Sequence, residues 1–275
     1  MGVLRVAEYE REELLNEILP NVASQLRGPL GNMHVAILRM KNSCEENEAA
    51  ERNMAILSQS YYRAMRLVNN LSAAPMLTET APFLTANVEL VAWVDELVRQ
   101  TQPLAEEAGV EVRFETELRH HSVAIHKNHM ERLFWNLMSN ALKFTPRGGS
   151  VTVTVRLSGK QVLLEVADTG CGISEDLLET VFDRYLHPER MDPQPHGLGL
   201  GLPLCRRIAE GHGGRLLLSS RVGEGTTVTV ALPDKKHMVA VVRDPGFHYA
   251  GGFQPVLMEL SDALPYGAFR ERHID

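Results

Sequence analysis

The N-terminal part of the chain carries apolar residues at helical spacing. Across residues 6–41 they recur in steps of four and three, which predicts a helix with one apolar face formed by Leu14, Ile18, Val22, Leu26, Leu30, Met33, Ile37 and Met40. Pro20 and Pro29 lie inside this run and are expected to kink or break the helix, because proline lacks an N–H and clashes with the preceding turn. After a polar stretch, the same spacing predicts a second helix over residues 54–71.

Two amphipathic helices of this length cannot bury their apolar faces against each other alone. They are expected to pair with the same hairpin of a second chain, which would give a dimeric four-helix bundle. The alternative is that the hairpin packs on the rest of its own chain.

Beyond Pro82 the pattern changes to a mixture of helices and strands. Helical periodicity and strand alternation predict helices at residues 89–109, 128–144, 177–185 and 202–212, and strands at residues 110–114, 122–125, 151–157, 162–166, 216–219 and 226–232. These elements predict an α+β fold in which helices cover one side of a mixed sheet. The predicted domains are a helical hairpin at residues 1–78, an α/β sandwich at residues 79–234 and an extension at residues 235–275.

The extension differs in character from the sandwich. A strand at residues 238–242 and a short amphipathic helix at residues 256–264 are predicted there, with aromatic residues between and after them. Either these elements pack on the sandwich, or they dock a partner or the second protomer.

Composition excludes several classes of protein. The net charge is −7, which disfavours a broad nucleic-acid-binding surface, and 44% hydrophobic with 23% charged residues is ordinary for a globular protein. The chain has 3 cysteines without a CxxC spacing, which indicates reduced thiols. No run approaches the ~18 apolar residues of a membrane span. A cytoplasmic protein without a membrane span is therefore expected.

The first candidate site is a polar helix face. Asn136, Asn140 and Lys143 are spaced by four and three residues, so they share one side of the predicted helix. Carboxamide oxygens can ligate Mg²⁺ and the lysine adds positive charge for phosphate. Such a face is also common on helices without a ligand.

Two glycine-containing segments supply the other candidates. Asp168 follows a strand and begins the sequence Asp-Thr-Gly-Cys-Gly-Ile, where a carboxylate could accept a hydrogen bond from the amino group of adenine and glycines could let the base approach the backbone. A second glycine-rich segment precedes a helix, whose N-terminal N–H groups can bind phosphate. That segment consists of Gly197, Leu198, Gly199, Leu200 and Gly201.

Taken in this order, the three segments resemble the N, G1 and G2 boxes of sensor histidine kinases, and Val-Phe-Asp-Arg-Tyr at residues 181–185 resembles the F box. The resemblance covers residues 87–232, and the superfamily also includes DNA gyrase, a heat-shock chaperone and a mismatch-repair ATPase. It implies an ATP-binding sandwich in which Asn140 ligates Mg²⁺, Asp168 binds adenine, and a mobile lid spans residues 171–196. The remaining residues implied to bind the cofactor are Asn136, Lys143, Phe144, Gly170, Gly172, Ile173, Arg184 and the glycine-rich segment at residues 197–201.

Two positions within this site differ from those of other members of the superfamily. Asn136 stands where the ATP-hydrolysing members carry a glutamate that activates water, which implies phosphoryl transfer rather than efficient ATP hydrolysis. His187 occupies a place where kinases often carry an arginine directed at the γ-phosphate, and Arg184 or Arg190 is the candidate replacement.

The first helix resembles the dimerisation and phosphoacceptor helix of the same family, but without its histidine. Ser-Gln-Leu-Arg-Gly-Pro-Leu at residues 24–30 is similar to the family's His-Glu-Leu-Arg-Thr-Pro-Leu, so Ser24 replaces the phosphorylated histidine and Gln25 replaces the general base. A serine hydroxyl needs a base to become nucleophilic, and a carboxamide cannot serve as one. His34 is a distant alternative acceptor and is otherwise expected to face solvent.

Several functions remain open at this point. The chain could be a phosphotransferase of the histidine kinase family that binds MgATP and uses an unusual acceptor. It could instead be a pseudokinase scaffold for a response regulator or a partner kinase, a serine-directed kinase, or a response-regulator phosphatase that relies on Gln25. Retained ATP binding fits all of them, and classical autophosphorylation fits the sequence least.

Overall fold

The N-terminal part of the protein is a helical hairpin. The computed structural model describes residues 14–41, 48–78, 81–178, 180–182, 199–238 and 254–270. A π-helical turn (Leu14–Ile18) leads into α1 (Leu19–Lys41), which packs against α2 (Glu48–Ser72), and a 3₁₀ turn (Ala74–Leu77) follows. The predicted helical residues before position 14 lie outside the described residues.

The apolar residues of α1 divide between two faces rather than forming one. Ala23, Leu30 and Ile37 are buried in the hairpin, whereas Leu26 and the other apolar residues on its side of the helix remain exposed. Each four-residue step advances about 40° around a helix with 3.6 residues per turn, so a long run of such steps moves from one face to the next. The exposed face, called here the outer face of α1, consists of Leu14, Ile18, Val22, Leu26, Met33 and Met40, which are 41–52% exposed.

The expected break of α1 at a proline and the expected exposure of His34 are both wrong. The helix continues through Pro29, although that residue has no N–H to donate to the carbonyl of Gln25, and Pro20 is its second residue, directly after the π-helical turn. His34 does not face solvent: it is 8% exposed and its ring stacks on Tyr61 of α2 with centroids 4.7 Å apart. Helix α1 thus packs along α2 with His34 inside the hairpin, and neither proline ends the helix.

An α+β sandwich follows the hairpin, as the sequence predicts. Its five-stranded sheet has the order β2-β4-β5-β7-β6, with β2 and β4 parallel and the other neighbours antiparallel, and β1 pairs with β3 in a separate two-stranded sheet. The strands are β1 (Ala86–Glu89), β2 (Glu111–Thr116), β3 (Ser122–Ile125), β4 (Ser150–Ser158), β5 (Gln161–Asp168), β6 (Arg215–Arg221) and β7 (Gly225–Pro233). The helices are α3 (Leu90–Ala108), α4 (Lys127–Phe144), α5 (Glu175–Leu178) and α6 (Gly201–Gly211).

Helix α4 lies at the centre of the sandwich core. Its Leu133 and Phe134 are fully buried, and they belong to the same apolar cluster as Val153 of β4, Val166 of β5 and Ile208 of α6. Because one side of α4 is fixed in this way, the orientation of its polar residues is fixed as well.

Residues 254–270 of the C-terminal extension pack on both the hairpin and the sandwich. It forms α7 (Pro255–Leu260) and a 3₁₀ turn (Tyr266–Phe269), which contact α2, α3 and α4. Its inward side chains are 0–2% exposed: Leu257, Leu260, Leu264, Ala268 and Phe269. The predicted helix at residues 256–264 thus ends earlier than expected, and nearly all of the predicted strand at residues 238–242 lies outside the described residues.

Among the helices that the structure describes, none is both long and apolar enough to cross a membrane.

Candidate functional site

Residues from the three sequence clusters line one cavity of about 540 Å³. The cavity lies between α4, the end of β5, the segment that follows β5 and the start of α6. The predicted residues that line it are Asn136, Asn140, Lys143, Phe144, Asp168, Gly172, Ile173, Gly199, Leu200 and Gly201. Its volume is within the range of about 300–1,000 Å³ that is typical of small-molecule sites.

Helix α4 supplies the polar wall of the cavity. Asn136 is 3% exposed, while Asn140 and Lys143 are half-buried one and two turns further on. Burial lowers the pKa of Lys143, and the nearby carboxylate of Asp262 opposes this effect. The wall therefore combines two neutral carboxamides with one partly desolvated cation.

Asp168 stands at the end of β5 with its carboxylate held by the backbone. Its Oδ1 accepts hydrogen bonds from the N–H of Gly170 at 2.8 Å and from the N–H of Thr226 at 3.2 Å. Burial raises the pKa of Asp168, and these two hydrogen bonds oppose the increase. Because these two hydrogen bonds engage Oδ1, they fix the orientation of the Asp168 side chain in the cavity wall.

The glycines near Asp168 allow backbone segments to pack closely together. A Cβ on Gly170 would lie 2.5 Å from the carbonyl oxygen of Phe144, and one on Gly172 would lie 2.1 Å from that of Arg221. Gly172 also has φ of 69°, where residues other than glycine are strained. These glycines let protein backbone segments approach one another, and Gly172 also lines the cavity whereas Gly170 does not.

The glycine-rich segment connects the cavity to the hairpin. Gly199 has φ of 72°, and a Cβ on Gly201 would lie 3.3 Å from Oδ1 of Asn136. Leu200 is 3% exposed and packs with Leu204 of α6 and Ala73, which follows α2. The remaining predicted residues here, Arg184, Gly197 and Leu198, lie outside the described residues, as do His187 and Arg190.

The candidate acceptor positions are elsewhere. Ser24 and Gln25 are exposed on α1 and are not among the residues that line the cavity.

Part of the cavity lining comes from outside the sandwich and was not predicted from the sequence. Arg66, Leu67 and Asn70 of α2 and Asp262 of the extension also line the cavity. The α2 residues lie in Arg-Leu-Val-Asn-Asn-Leu at residues 66–71, which is similar to the second hairpin helix of the histidine kinases and was a usable signal. Nothing in the sequence connects Asp262 with a helix that ends 190 residues earlier.

Comparison with known proteins identifies the sandwich. Residues 125–236 match the family model of the histidine kinase-, DNA gyrase B- and HSP90-like ATPases. Histidine protein kinase DivJ of Caulobacter vibrioides is 31% identical over 85% of this chain and 42% of its own, and sensor histidine kinase WalK of Bacillus subtilis is 29% identical over 84% of this chain and 39% of its own. Sensor protein KdpD of Clostridium acetobutylicum is 29% identical over 82% of this chain but 25% of its own. The chain thus spans between a quarter and about two fifths of the length of these relatives.

Solved structures show the same fold over both parts of the chain. Full-length ShkA in complex with AMPPNP superimposes with a TM-score of 0.64 at 24% identity, over 82% of this chain and 47% of that one. Histidine kinase ThkA in complex with the response regulator TrrA gives a TM-score of 0.56 at 22% identity, over 82% of this chain and 64% of that one. The chain belongs to the histidine kinase family, and residues 125–236 match the ATPase domain of that family.

Proposed function

We propose that this protein binds MgATP in the cavity and uses nucleotide occupancy for signalling, without phosphorylating itself on a histidine in the usual position. The observation that carries the proposal is a contrast between two parts of the molecule. The residues suited to a nucleotide line one cavity, whereas the acceptor position of α1 holds Ser24 followed by Gln25.

The donor set of the cavity fits a magnesium-bound nucleotide. Asp168 presents a carboxylate beside the apolar side chains of Val166, Leu218 and Val228, a combination suited to a flat base with an amino group. Asn140 would ligate Mg²⁺ through its carboxamide oxygen, with Lys143 placed for phosphate. When bound, MgATP would supply a transferable phosphoryl group.

The acceptor helix lacks the chemistry to receive that group efficiently. A serine hydroxyl is a weak nucleophile at neutral pH unless a base takes its proton, and Gln25 has no basic lone pair for this purpose. Both side chains are exposed to solvent, so no buried environment activates them. A nucleotide-regulated scaffold therefore accounts for the residues better than a serine-directed kinase does.

Calorimetry with a non-hydrolysable ATP analogue tests the binding step, and incubation with radiolabelled MgATP tests transfer. The unchanged protein should bind the analogue and incorporate no acid-labile label. Asn140→Ala should weaken binding at least about tenfold, which is the effect of losing about 1.4 kcal/mol. Asn53→Ala, which alters an exposed asparagine of α2, is the matched control and should leave binding unchanged.

Three results would count against the proposal. If the protein does not bind the nucleotide analogue, the proposed binding of MgATP in the cavity is wrong. Acid-labile label that disappears with Asn140→Ala would show a working histidine kinase, with His34 as the first position to map. Acid-stable label lost on Ser24→Ala would establish the serine-directed alternative.

The partners are part of the same proposal. The outer face of α1 presents six apolar side chains to solvent in a single chain, and a second copy of the hairpin would cover them in a four-helix bundle. A response regulator is the proposed further partner, since ThkA of the same fold is in complex with one. Leu26→Glu should shift the protein towards monomer in sedimentation, whereas Leu84→Glu, at a leucine that is 91% exposed outside this face, should not. A monomeric unchanged protein at high concentration would contradict the dimer.

A further inference from the structure

The cavity contains two charged residues that the ATPase domain does not provide. Arg66 comes from the hairpin and Asp262 from the C-terminal extension, and both line the cavity with Asn140 and Lys143. Residues 125–236, which match the family model, include neither of them.

These two residues form a structured junction rather than a chance surface contact. The guanidinium of Arg66 is 5% exposed, and its Nη1 donates to Oγ of Ser139 at 2.6 Å and to Oδ2 of Asp262 at 2.7 Å. Its Nε lies 3.9 Å from a carboxylate oxygen of Glu259. The side chain of Asp262 is only 25% exposed, and it is held by Arg66, which is itself bound to Ser139 of α4.

Two hydrogen bonds from side chains of α2 to main-chain carbonyls hold the segment around Asp262. Gln59 Nε2 donates to the carbonyl oxygen of Leu264 at 2.6 Å, and Arg63 Nε donates to that of Ser261 at 3.0 Å. Leu260 and Leu264, on either side of Asp262, are 0% and 2% exposed. The main chain around Asp262 is therefore anchored to α2 and to a packed interface.

The charge of Asp262 acts on the part of the cavity where phosphate is proposed to bind. The charge of Asp262 raises the pKa of Lys143, whereas the charges of Arg66 and Arg63 lower it, so the ammonium group interacts with all three side chains. The charged residues that line the cavity, among those the structure describes, are Arg66, Lys143, Asp168 and Asp262. The two cations are thus already balanced in part by a fixed carboxylate before any nucleotide arrives.

We propose that Asp262 is a specificity-determining residue that makes the cavity select the magnesium complex of a nucleoside triphosphate over the free triphosphate. The inference rests on the proposed nucleotide binding. A free triphosphate carries about four negative charges at neutral pH, and these meet a carboxylate that is held in place and only partly exposed. A bound Mg²⁺ cancels two of these charges and is itself attracted to carboxylate oxygen, so the same side chain repels one form and tolerates or attracts the other.

Calorimetry with a non-hydrolysable ATP analogue, once with EDTA and once with excess MgCl₂, measures this selectivity as a ratio of two dissociation constants. In the unchanged protein the analogue should bind more weakly with EDTA. Asp262→Asn, which keeps the shape and a hydrogen-bond acceptor for Arg66, should reduce the ratio about tenfold or more, mainly through tighter binding of the free analogue. Asp262→Glu should keep a ratio near that of the unchanged protein.

Glu259→Gln is the matched control. It changes a carboxyl group of the same segment beside the same arginine. Glu259 does not line the cavity, and burial raises the pKa of its carboxyl group, so the ratio should stay unchanged. Thermal melting of each variant reports whether it is folded, and Asp262→Ser replaces Asp262→Asn if the latter is not.

The outcomes separate this inference from the proposed function. If the unchanged protein binds neither form, nucleotide binding itself is wrong and the inference falls with it. If it binds, but Asp262→Asn leaves the ratio unchanged, or Glu259→Gln lowers it equally, then Asp262 does not determine selectivity while the proposed function stands.

Discussion

Leu257→Ala tests whether the C-terminal extension is part of the folded core. Leu257 lies in α7 and is fully buried, and α7 contacts α2, α3 and α4. Its side chain belongs to the same apolar cluster as the interior of the sandwich and the hairpin. Shortening it should therefore destabilise the whole protein and not only a peripheral segment.

The expected magnitude follows from the burial. Truncating a fully buried leucine to alanine removes transferred apolar surface and leaves a cavity, which lowers the free energy of unfolding by about 2–5 kcal/mol. Each kcal/mol shifts Tm by about 2–4 °C for proteins of 150–250 residues, and the lower value applies to this chain of 275 residues, so Tm should fall by about 4–10 °C. Leu84→Ala provides the control, because that leucine is 91% exposed and the same truncation there should change stability by less than about 0.5 kcal/mol.

Urea denaturation followed by tryptophan fluorescence is the suitable assay. The protein has 2 tryptophans, Trp93 on α3 and Trp135 on α4, and both are buried on helices that α7 contacts. A Leu257→Ala protein that unfolds within about 0.5 kcal/mol of the unchanged one would refute the reasoning, because such a result is typical of a surface substitution. The extension would then be an appendage, and Asp262 would lose the rigid support on which its proposed role depends.

Two further predictions concern the sandwich. Burial, and to a smaller extent neighbouring cations, lower the pKa of His129 from 6.5 to about 4. Between these two values the unfolded chain binds more protons than the folded one, so the free energy of unfolding should fall as the pH is lowered from 6.5 to about 4. His129→Phe should make the urea midpoint less dependent on pH in this range. The cationic groups responsible are His126, His212, Arg132 and Arg207. Gly172→Ala should cost about 2–4 kcal/mol in urea denaturation, because its Cβ would meet the carbonyl of Arg221. Gly223→Ala shares the positive φ but has no atom within 4 Å of the added Cβ, so it should cost clearly less, and equal losses would exclude the steric explanation.

Much of the fold could be predicted from the sequence because its patterns are local. The polar face of α4 follows from spacings of three and four residues, and the strands from alternation, so these elements appear close to where they were expected. Strand β1 was missed because only four residues carry its pattern, and it is defined by pairing with β3 rather than by its own periodicity.

The parts that could not be predicted depend on distant pairings. Arg66 and Asp262 are 196 residues apart in the chain, and neither has a motif that points to the other. The burial of His34 depends on its stacking against Tyr61, which a single-helix pattern does not reveal. The division of apolar residues on α1 arises in the same way, since α2 can cover only one of the two faces.

The extension and the hairpin give the proposed nucleotide site a physical connection to the rest of the molecule. Leu200, in the glycine-rich segment, packs with Ala73 at the end of the hairpin, and Arg66 joins α2 to Ser139 of α4 and to the extension. A ligand in the cavity would touch all three parts, so it can stabilise one arrangement of them by as much as it binds that arrangement more tightly than the others. Such coupling requires neither Ser24 nor Gln25. Ser24 at the proposed acceptor position is therefore compatible with the proposed function of the nucleotide site, in which binding alone would set the arrangement of the hairpin that a partner would contact.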